Sequence, residues 1–244
     1  MRENKFYALI LAAGKGTRMK SDLPKVLHEI KGKPLLGYVL DTAKAAGAKK
    51  IIVIVGHQAQ KVNARFSDNG CVFVLQEPQL GTGHAVLQAK KELYNYNGLT
   101  IILYGDVPLL KPETVDNLIQ EHVKTDSCLT VLTTIVPDAH GYGRIVKDKK
   151  GNIEKIVEQL DATEDEKKIS EINTGIYCVN TPFLLSALEK IENKNNKQEY
   201  YLTDIVEIAR RERCKAHAYV TKDYIEVMGI NTTDELIRAG KYLK

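Results

Sequence analysis

Short apolar runs alternate with segments of helical periodicity along the first half of the chain. Phe6–Ala12 is apolar almost throughout and predicts a buried strand. Pro34–Ala46 predicts a helix, with proline at a permitted first-turn position and Gly47 as its stop. Ile51-Ile52-Val53-Ile54-Val55 is β-branched throughout and predicts a strand buried on both faces. The pattern continues with a short helix over Gln58–Phe66, a strand over Cys71–Leu75, a helix over Gly83–Tyr94 and a strand over Thr100–Tyr104. A helix over Pro112–Val123 and a strand over Leu129–Val136 complete it. This order predicts an α/β fold, Rossmann-like, with a mostly parallel sheet and helices on both faces.

The second half changes character. Gly143–Lys147 and Ile153–Glu158 flank Asp148-Lys149-Lys150-Gly151-Asn152, a β-hairpin pattern. Asp161–Ser170 is a charged loop or short helix, and Ile172–Val179 a strand. Helices are expected over Thr181–Ile191 and Thr203–Arg213, with the polar Glu192–Lys197 between them. Ala216–Val220 and Ile225–Val227 predict short strands, and Thr233–Leu243 a final helix. No linker and no internal repeat stands out, so residues 1–244 are expected to form a single domain with the hairpin as an extension.

Composition narrows the class. Hydrophobic content of 43% and charged content of 27% are ordinary for a soluble globular protein. The net charge of +4 suits the handling of anionic small molecules and does not argue for a nucleic-acid partner. The densest basic cluster, Arg210, Arg211 and Arg213, is interrupted by Glu207 and Glu212 and reads as a solvated helix face. Cys71, Cys128, Cys178 and Cys214 show no metal-binding spacing and are expected to be reduced, as in a cytoplasmic protein. No apolar run approaches the length of a membrane span, and Met1–Lys5 has no signal-peptide core behind it. Oligomeric state is left open, a homo-oligomer included.

The chemistry starts where the first strand empties into Gly14-Lys15-Gly16-Thr17-Arg18-Met19, closed by Leu23-Pro24-Lys25. Glycines let backbone N–H groups converge on phosphate oxygens, and Lys15, Arg18 and Lys25 add charge to an anion held there. Neither the dinucleotide fingerprint nor the Walker loop fits these residues. Ligands in open parallel sheets bind beyond the carboxyl ends of the strands. Two more polar segments fall there. Gln76-Glu77-Pro78-Gln79-Leu80-Gly81-Thr82-Gly83-His84 carries two amides able to match a pyrimidine edge, although it also reads as a polar loop with a capping threonine. Tyr104-Gly105-Asp106 places a carboxylate at a strand tip, either a magnesium ligand or a turn aspartate.

The first loop, with Ser21-Asp22-Leu23-Pro24-Lys25-Val26-Leu27-His28 closing it, resembles L-A-A-G-x-G-T-R-M-x-S-x-x-P-K, the signature of the sugar-nucleotide pyrophosphorylases. Within that family the chain is similar to the uridylyltransferase half of bacterial N-acetylglucosamine-1-phosphate uridylyltransferases, from Tyr7 to about Asn231. The resemblance implies the nucleotide-diphospho-sugar transferase fold, with a nucleotide-binding half over about 1–136 and a sugar-binding half over about 137–244. It implies that Leu11, Ala12, Ala13, Gly14, Gly16 and Thr17 hold the nucleotide, with Arg18 and Lys25 acting on its phosphates. Gln76, Gln79 and Gly81 would read the base, Thr82 would also bind the nucleotide, and Asp106 with Asn231 of Gly229-Ile230-Asn231 would hold magnesium, Mg2+. Gly143, Glu158, Asn173, Glu199 and Thr203 match sugar-contacting positions. The implied reaction joins UTP to an amino-sugar 1-phosphate, N-acetylglucosamine 1-phosphate, by in-line attack on the α-phosphate. A related pyrophosphorylase of other substrates, or a non-catalytic nucleotide-sugar sensor, would use the same scaffold.

Two positions depart from the family pattern. Leu160 stands where V-E-x-K-D-A has lysine; on a strand it would share a face with Glu158, so a lysine restored there is expected to improve sugar-phosphate use. Asn231 is followed by Thr232-Thr233-Asp234-Glu235 rather than Asp-Arg, and no hexapeptide repeat follows, so no acetyltransferase β-helix domain is expected.

Overall fold

The computed structural model describes residues 6–243; Met1–Lys5, read above for the missing signal-peptide core, and Lys244 lie outside the described residues. In chain order the strands are β1 Phe6–Ala12, β2 Glu29–Ile30, β3 Lys33–Pro34, β4 Ala48–Val55, β5 Val72–Leu75, β6 Leu99–Tyr104, β7 Leu129–Ile135, β8 Arg144–Lys147, β9 Ile153–Val157, β10 Glu171–Asn180 and β11 Ala216–Thr221. The helices are α1 Leu35–Ala45, α2 Ala59–Arg65, α3 Thr82–Gln88, α4 Lys90–Leu93, α5 Pro112–Lys124, α6 Thr181–Leu188, α7 Ile205–Arg211 and α8 Thr233–Ala239.

The main sheet runs β11-β7-β10-β6-β1-β4-β5. β1 lies between β4 and β6, parallel to both, and β5 extends β4 in parallel. β10 enters antiparallel between β6 and β7, which is why the sheet is mostly rather than wholly parallel. The β8–β9 hairpin hangs off β10 through Arg144 opposite Ile172. Alternate side chains of β1 serve two cores. Leu9 and Leu11 pack with residues of α3, α6 and α7, whereas Ala8, Ile10 and Ala12 pack with residues of α1, α2 and α5. Helices therefore cover both faces, as the alternating pattern predicted. Among the described residues no helix is long and apolar enough to cross a membrane.

Four local expectations fail. The helix expected over Gly83–Tyr94 breaks at Ala89 into α3 and α4. Ile225–Val227 is not a strand but part of a 3-10 turn over Tyr224–Val227, started by the Asp223 side chain accepting from the Ile225 N–H. That turn buries Glu226, which accepts from Thr114 and Thr221 at 2.9 and 3.1 Å. Thr203 begins no long helix: Leu202–Asp204 is a 3-10 turn ahead of α7. Finally, Cys128 and Cys214 are joined as a disulfide, so the expectation of four reduced thiols fails for this pair. Their separation of 86 residues hid the pairing; the Cys128 N–H donates to the Lys215 carbonyl at 2.9 Å, where β11 begins beside β7.

Candidate active site

The carboxyl ends of β1 and β6 create the site. Leu11, Ala12 and Ala13 are buried as β1 finishes, and the Gly105 N–H donates to the Leu11 carbonyl at 2.9 Å. The chain then turns outward through Gly14 and Lys15. Gly16 holds φ +63°, and a Cβ on it would lie 2.7 Å from the Lys25 Cβ. Glycine there lets the loop fold onto the Lys25 segment. Thr17–Met19 forms a 3-10 turn anchored by buried Met19, which leaves Arg18 exposed at the mouth.

Four polar side chains meet there from three distant parts of the sequence. The Lys25 ammonium pairs with Asp106 Oδ2 and also donates to Asn231 Oδ1 at 3.1 Å. Arg18 donates to the same Asn231 oxygen at 2.8 Å. Asn231 is held in place on every side. The Ile230 N–H donates to the Asp106 carbonyl at 2.8 Å, and the Asn231 N–H donates to Glu235 at 2.6 Å. Glu235 belongs to the Thr232–Glu235 capping box that starts α8. The segment that departs from the family's Asp-Arg therefore acts here as a helix cap that fixes Asn231. Two hard oxygens converging on one cation make a donor set that fits magnesium. Among the described residues no group of three or more His, Cys, Asp or Glu could hold a metal. A divalent ion at Asp106 and Asn231 would thus draw its remaining ligands from phosphate oxygens and water.

A cleft of about 550 Å³ extends inward from this cluster. It is lined by Leu11, Ala12, Ala13, Gly14, Arg18, Lys25, Gln76, Gln79, Gly81, Thr82, Asp106, Glu199 and Asn231, all expected from the sequence. Lys15, Val26, Ala85 and Tyr104 line it as well. Tyr104 went unnoticed as a site residue because a tyrosine ending an apolar strand carries no motif; its ring packs so closely on Gly175 that a Cβ there would come within 2.5 Å. Gly16 and Thr17 shape the loop and do not line the cleft. The two glutamines part company. Gln79 donates to the Ala13 carbonyl at 2.5 Å and ties its loop to the glycine loop. Gln76 is buried in the cleft wall and donates to the Gly81 carbonyl at 2.9 Å. Gly81 adopts φ +109° and packs on Tyr200, whose carbonyl accepts the Gly83 N–H at 2.8 Å. The start of α3 is thus partly occupied by the chain itself rather than left open to an anion.

Four of the five expected sugar-contacting residues, Gly143, Glu158, Asn173 and Thr203, gather around the Glu158 carboxylate. The Asn173 N–H donates to the Gly143 carbonyl at 2.8 Å, and Glu158 Oε1 would lie 3.5 Å from a Cβ on Gly143. Thr203 donates to Glu158 at 3.4 Å. Burial pushes the Glu158 carboxyl above its usual range, with Lys197 acting the other way. Asn173 is engaged by Tyr177 and by the Gly175 N–H, so it also fixes the strand bend. Glu199 lines the glycine-loop cleft and also acts electrostatically on Glu158. A second cavity of about 390 Å³ opens beside Glu158, Tyr201 and Asp204. Burial, then Glu207, raises the Asp204 carboxyl to about 6. A raised carboxyl means the fold binds a proton the unfolded chain gives up, so this group's contribution is full below about pH 4 and is lost as pH rises through about 6. Asp204→Asn should therefore melt above wild type at about pH 7.5 and level with it at about pH 4. Equal melting at both pH values would mean the carboxyl titrates normally.

Leu160 does not sit as expected. β9 ends at Val157, and the Asp161 N–H donates to the Glu158 carbonyl at 3.0 Å, so residues 158–161 form a turn. The strand geometry that would set Leu160 beside Glu158 is absent, and the residue is 61% exposed. Leu160→Lys is now expected to leave the melting temperature and sugar-phosphate kcat/KM within twofold or about 1 °C of wild type, as for most exposed substitutions. A fivefold gain in kcat/KM would mean that a lysine at this position reaches the sugar phosphate or Glu158.

The model of the MobA-like NTP transferase domain matches residues 8–167. The chain belongs to this family. Relatives of the chain include "Bifunctional protein GlmU" of Trichlorobacter lovleyi, 48% identical over 238 residues, which are 97% of this chain and 52% of the relative. GlmU of Geotalea daltonii is 45% identical over 98% of this chain and 53% of its own length, and that of Clostridioides difficile 46% over 98% and 52%. The chain thus spans about half the length of the curated relatives it matches. UDP-glucose pyrophosphorylase solved with UDP-glucose shares the fold, with TM-score 0.76 and 20% identity over 98% of both chains. The resemblance seen in the loop motif therefore holds across the chain, and the chain is a nucleotidyltransferase domain related to GlmU.

Proposed function

We propose that this nucleotidyltransferase domain makes UDP-N-acetylglucosamine and pyrophosphate from UTP and N-acetylglucosamine 1-phosphate. The convergence of Lys25, Arg18, Asp106 and Asn231 at the mouth of the glycine-loop cleft is the observation that carries the reading. Identity of 45–48% to GlmU proteins supports the choice of substrates. A sugar-phosphate oxygen forms a bond to the α-phosphorus of UTP, and the bond from that phosphorus to the bridging oxygen breaks, releasing pyrophosphate. The attacking oxygen is an anion at neutral pH, so no side chain has to remove a proton. The work left to the protein is alignment and charge neutralisation. Gly14 and the loop backbone approach the phosphates closely, Arg18 meets the outer ones, and Lys25 lies where negative charge grows on the α-phosphate. Asp106 and Asn231 would hold Mg2+, which neutralises phosphate charge when bound. Gln76 and the Gly81 backbone would meet the base, and Glu158, Asn173, Thr203 and Gly143 the sugar.

The test is a grid of the four nucleoside triphosphates against several sugar 1-phosphates, read by pyrophosphate release. Release with UTP that requires N-acetylglucosamine 1-phosphate is the expected result. Preference for another pair would reassign the substrates, and nucleotide binding without any release would make the domain a sensor.

A further inference from the structure

His84 lies in the first turn of α3, and its ring sits between two glutamines, one of which, Gln76, lines the cleft. Gln76 Nε2 lies 3.2 Å from His84 Nδ1, and Gln88 Nε2 lies 3.1 Å from His84 Nε2. A neutral imidazole accepts at one ring nitrogen and donates at the other, so two amide nitrogens cannot both donate to it. One glutamine must turn its oxygen to the ring. Gln76 is the one that cannot, because its Nε2 already donates to the Gly81 carbonyl at 2.9 Å. Gln88 holds only a 3.2 Å contact to the His84 carbonyl one turn back, a weaker anchor that it can give up. The ring proton therefore sits on Nε2 and Nδ1 accepts from Gln76. Burial lowers the His84 pKa, in keeping with a neutral ring.

Both Gln76 hydrogens are then spent, one on Gly81 and one on His84. Its oxygen is what remains, and among the described residues Gln76 Oε1 has no donor, while the residue lines the cleft. We infer that His84 is a positioning residue for base choice, fixing Gln76 so that it offers the cleft an acceptor and not a donor. An acceptor at that place matches the ring N–H of a uracil-type base. It opposes cytosine, whose corresponding ring nitrogen offers a lone pair. The inference rests on the uridine nucleotide reading given above.

Two measurements test it. Long-range ¹H–¹⁵N spectra of histidine-labelled protein, free of substrate, should show His84 bare at Nδ1 and protonated at Nε2. The reverse tautomer overturns the inference whatever the base. Calorimetric affinities for UTP and CTP with magnesium then compare wild type, His84→Phe, His84→Asn, Gln76→Ala and the double variant His84→Phe with Gln76→Ala. His84→Phe removes the acceptor and should narrow the UTP-over-CTP preference about tenfold, the scale of one lost hydrogen bond. His84→Asn restores an acceptor on a short side chain and should keep the preference within about threefold of wild type. In the Gln76→Ala background, His84→Phe should change the preference no further. Equal weakening of both nucleotides by His84→Phe would give His84 a merely structural role and overturn the inference, as would an unchanged preference. If His84→Phe fails to fold, loss of preference in His84→Asn overturns it and retention supports it. A wild type with no preference for UTP overturns the uridine reading itself, and base choice with it, even where the tautomer is as stated.

Discussion

Asp106→Asn should lower kcat/KM at least about a hundredfold, equivalent to ~2.7 kcal/mol of lost transition-state stabilisation. The substitution keeps the shape of the side chain and removes its charge. Two oxygens converge on the Lys25 ammonium in the protein as described, one from Asp106 and one from Asn231. Only Asp106 brings a negative charge, so a divalent ion bound to the pair would lose most of its attraction. Asp106 is placed by its backbone as much as by its side chain, since its carbonyl accepts from the Ile230 N–H at 2.8 Å. That bond survives the change, so the fold and the approach of Asn231 should persist. Circular dichroism and melting close to wild type, together with the loss of turnover, are the expected pair of results. A well-folded variant with near-normal turnover would remove Asp106 from the site.

Lys25→Ala should act on kcat more than on the KM for UTP, with kcat falling about thirty- to a hundredfold, the loss of one charge-assisted contact of ~2–3 kcal/mol. The reason is where the ammonium sits. It is largely shielded from solvent, with its side chain 16% exposed, at the point where the glycine loop meets Asp106 and Asn231. A cation already held there meets charge that develops during reaction better than charge present throughout. Alanine keeps the Cβ against which Gly16 packs, so the loop should hold its course. It leaves Asp106 without its ion-pair partner, and Lys25→Met separates that loss of charge from the loss of side-chain bulk. A change confined to KM would make Lys25 a ground-state phosphate anchor.

These two residues illustrate how far the sequence could be read. Lys25 and Asp106 stood out because each ends a segment of recognisable pattern, a glycine loop and a strand tip. Asn231 had no such signal. It entered through family resemblance, and its placement depends on a capping box in α8 together with a backbone bond to Asp106 across 124 residues of chain. Tyr104 and Ala85 were missed because apolar and aromatic residues at element ends look the same whether they face a core or a cleft. His84 likewise sits in a polar loop sequence, and only the ring's two neighbours give it meaning. The Glu158–Leu160 geometry failed for a different reason. A strand's last residue is set by where its partner stops, and β8 pairs with β9 no further than Val157.

Unaided, the sequence determined most of the order of strands and helices, the two-faced burial of β4 and the end of the sheet where the cleft opens. These follow from local periodicity and from short, right-handed connections, both of which are written in neighbouring residues. Tertiary structure alone decided the antiparallel entry of β10, the pairing of Cys128 with Cys214, the buried turn at Glu226 and the division of labour between Gln76 and Gln79. Each depends on which partner lies across the sheet or cleft, tens of residues away in sequence. A polar side chain's role is set by the partner it finds, and that partner exists only once the chain has folded.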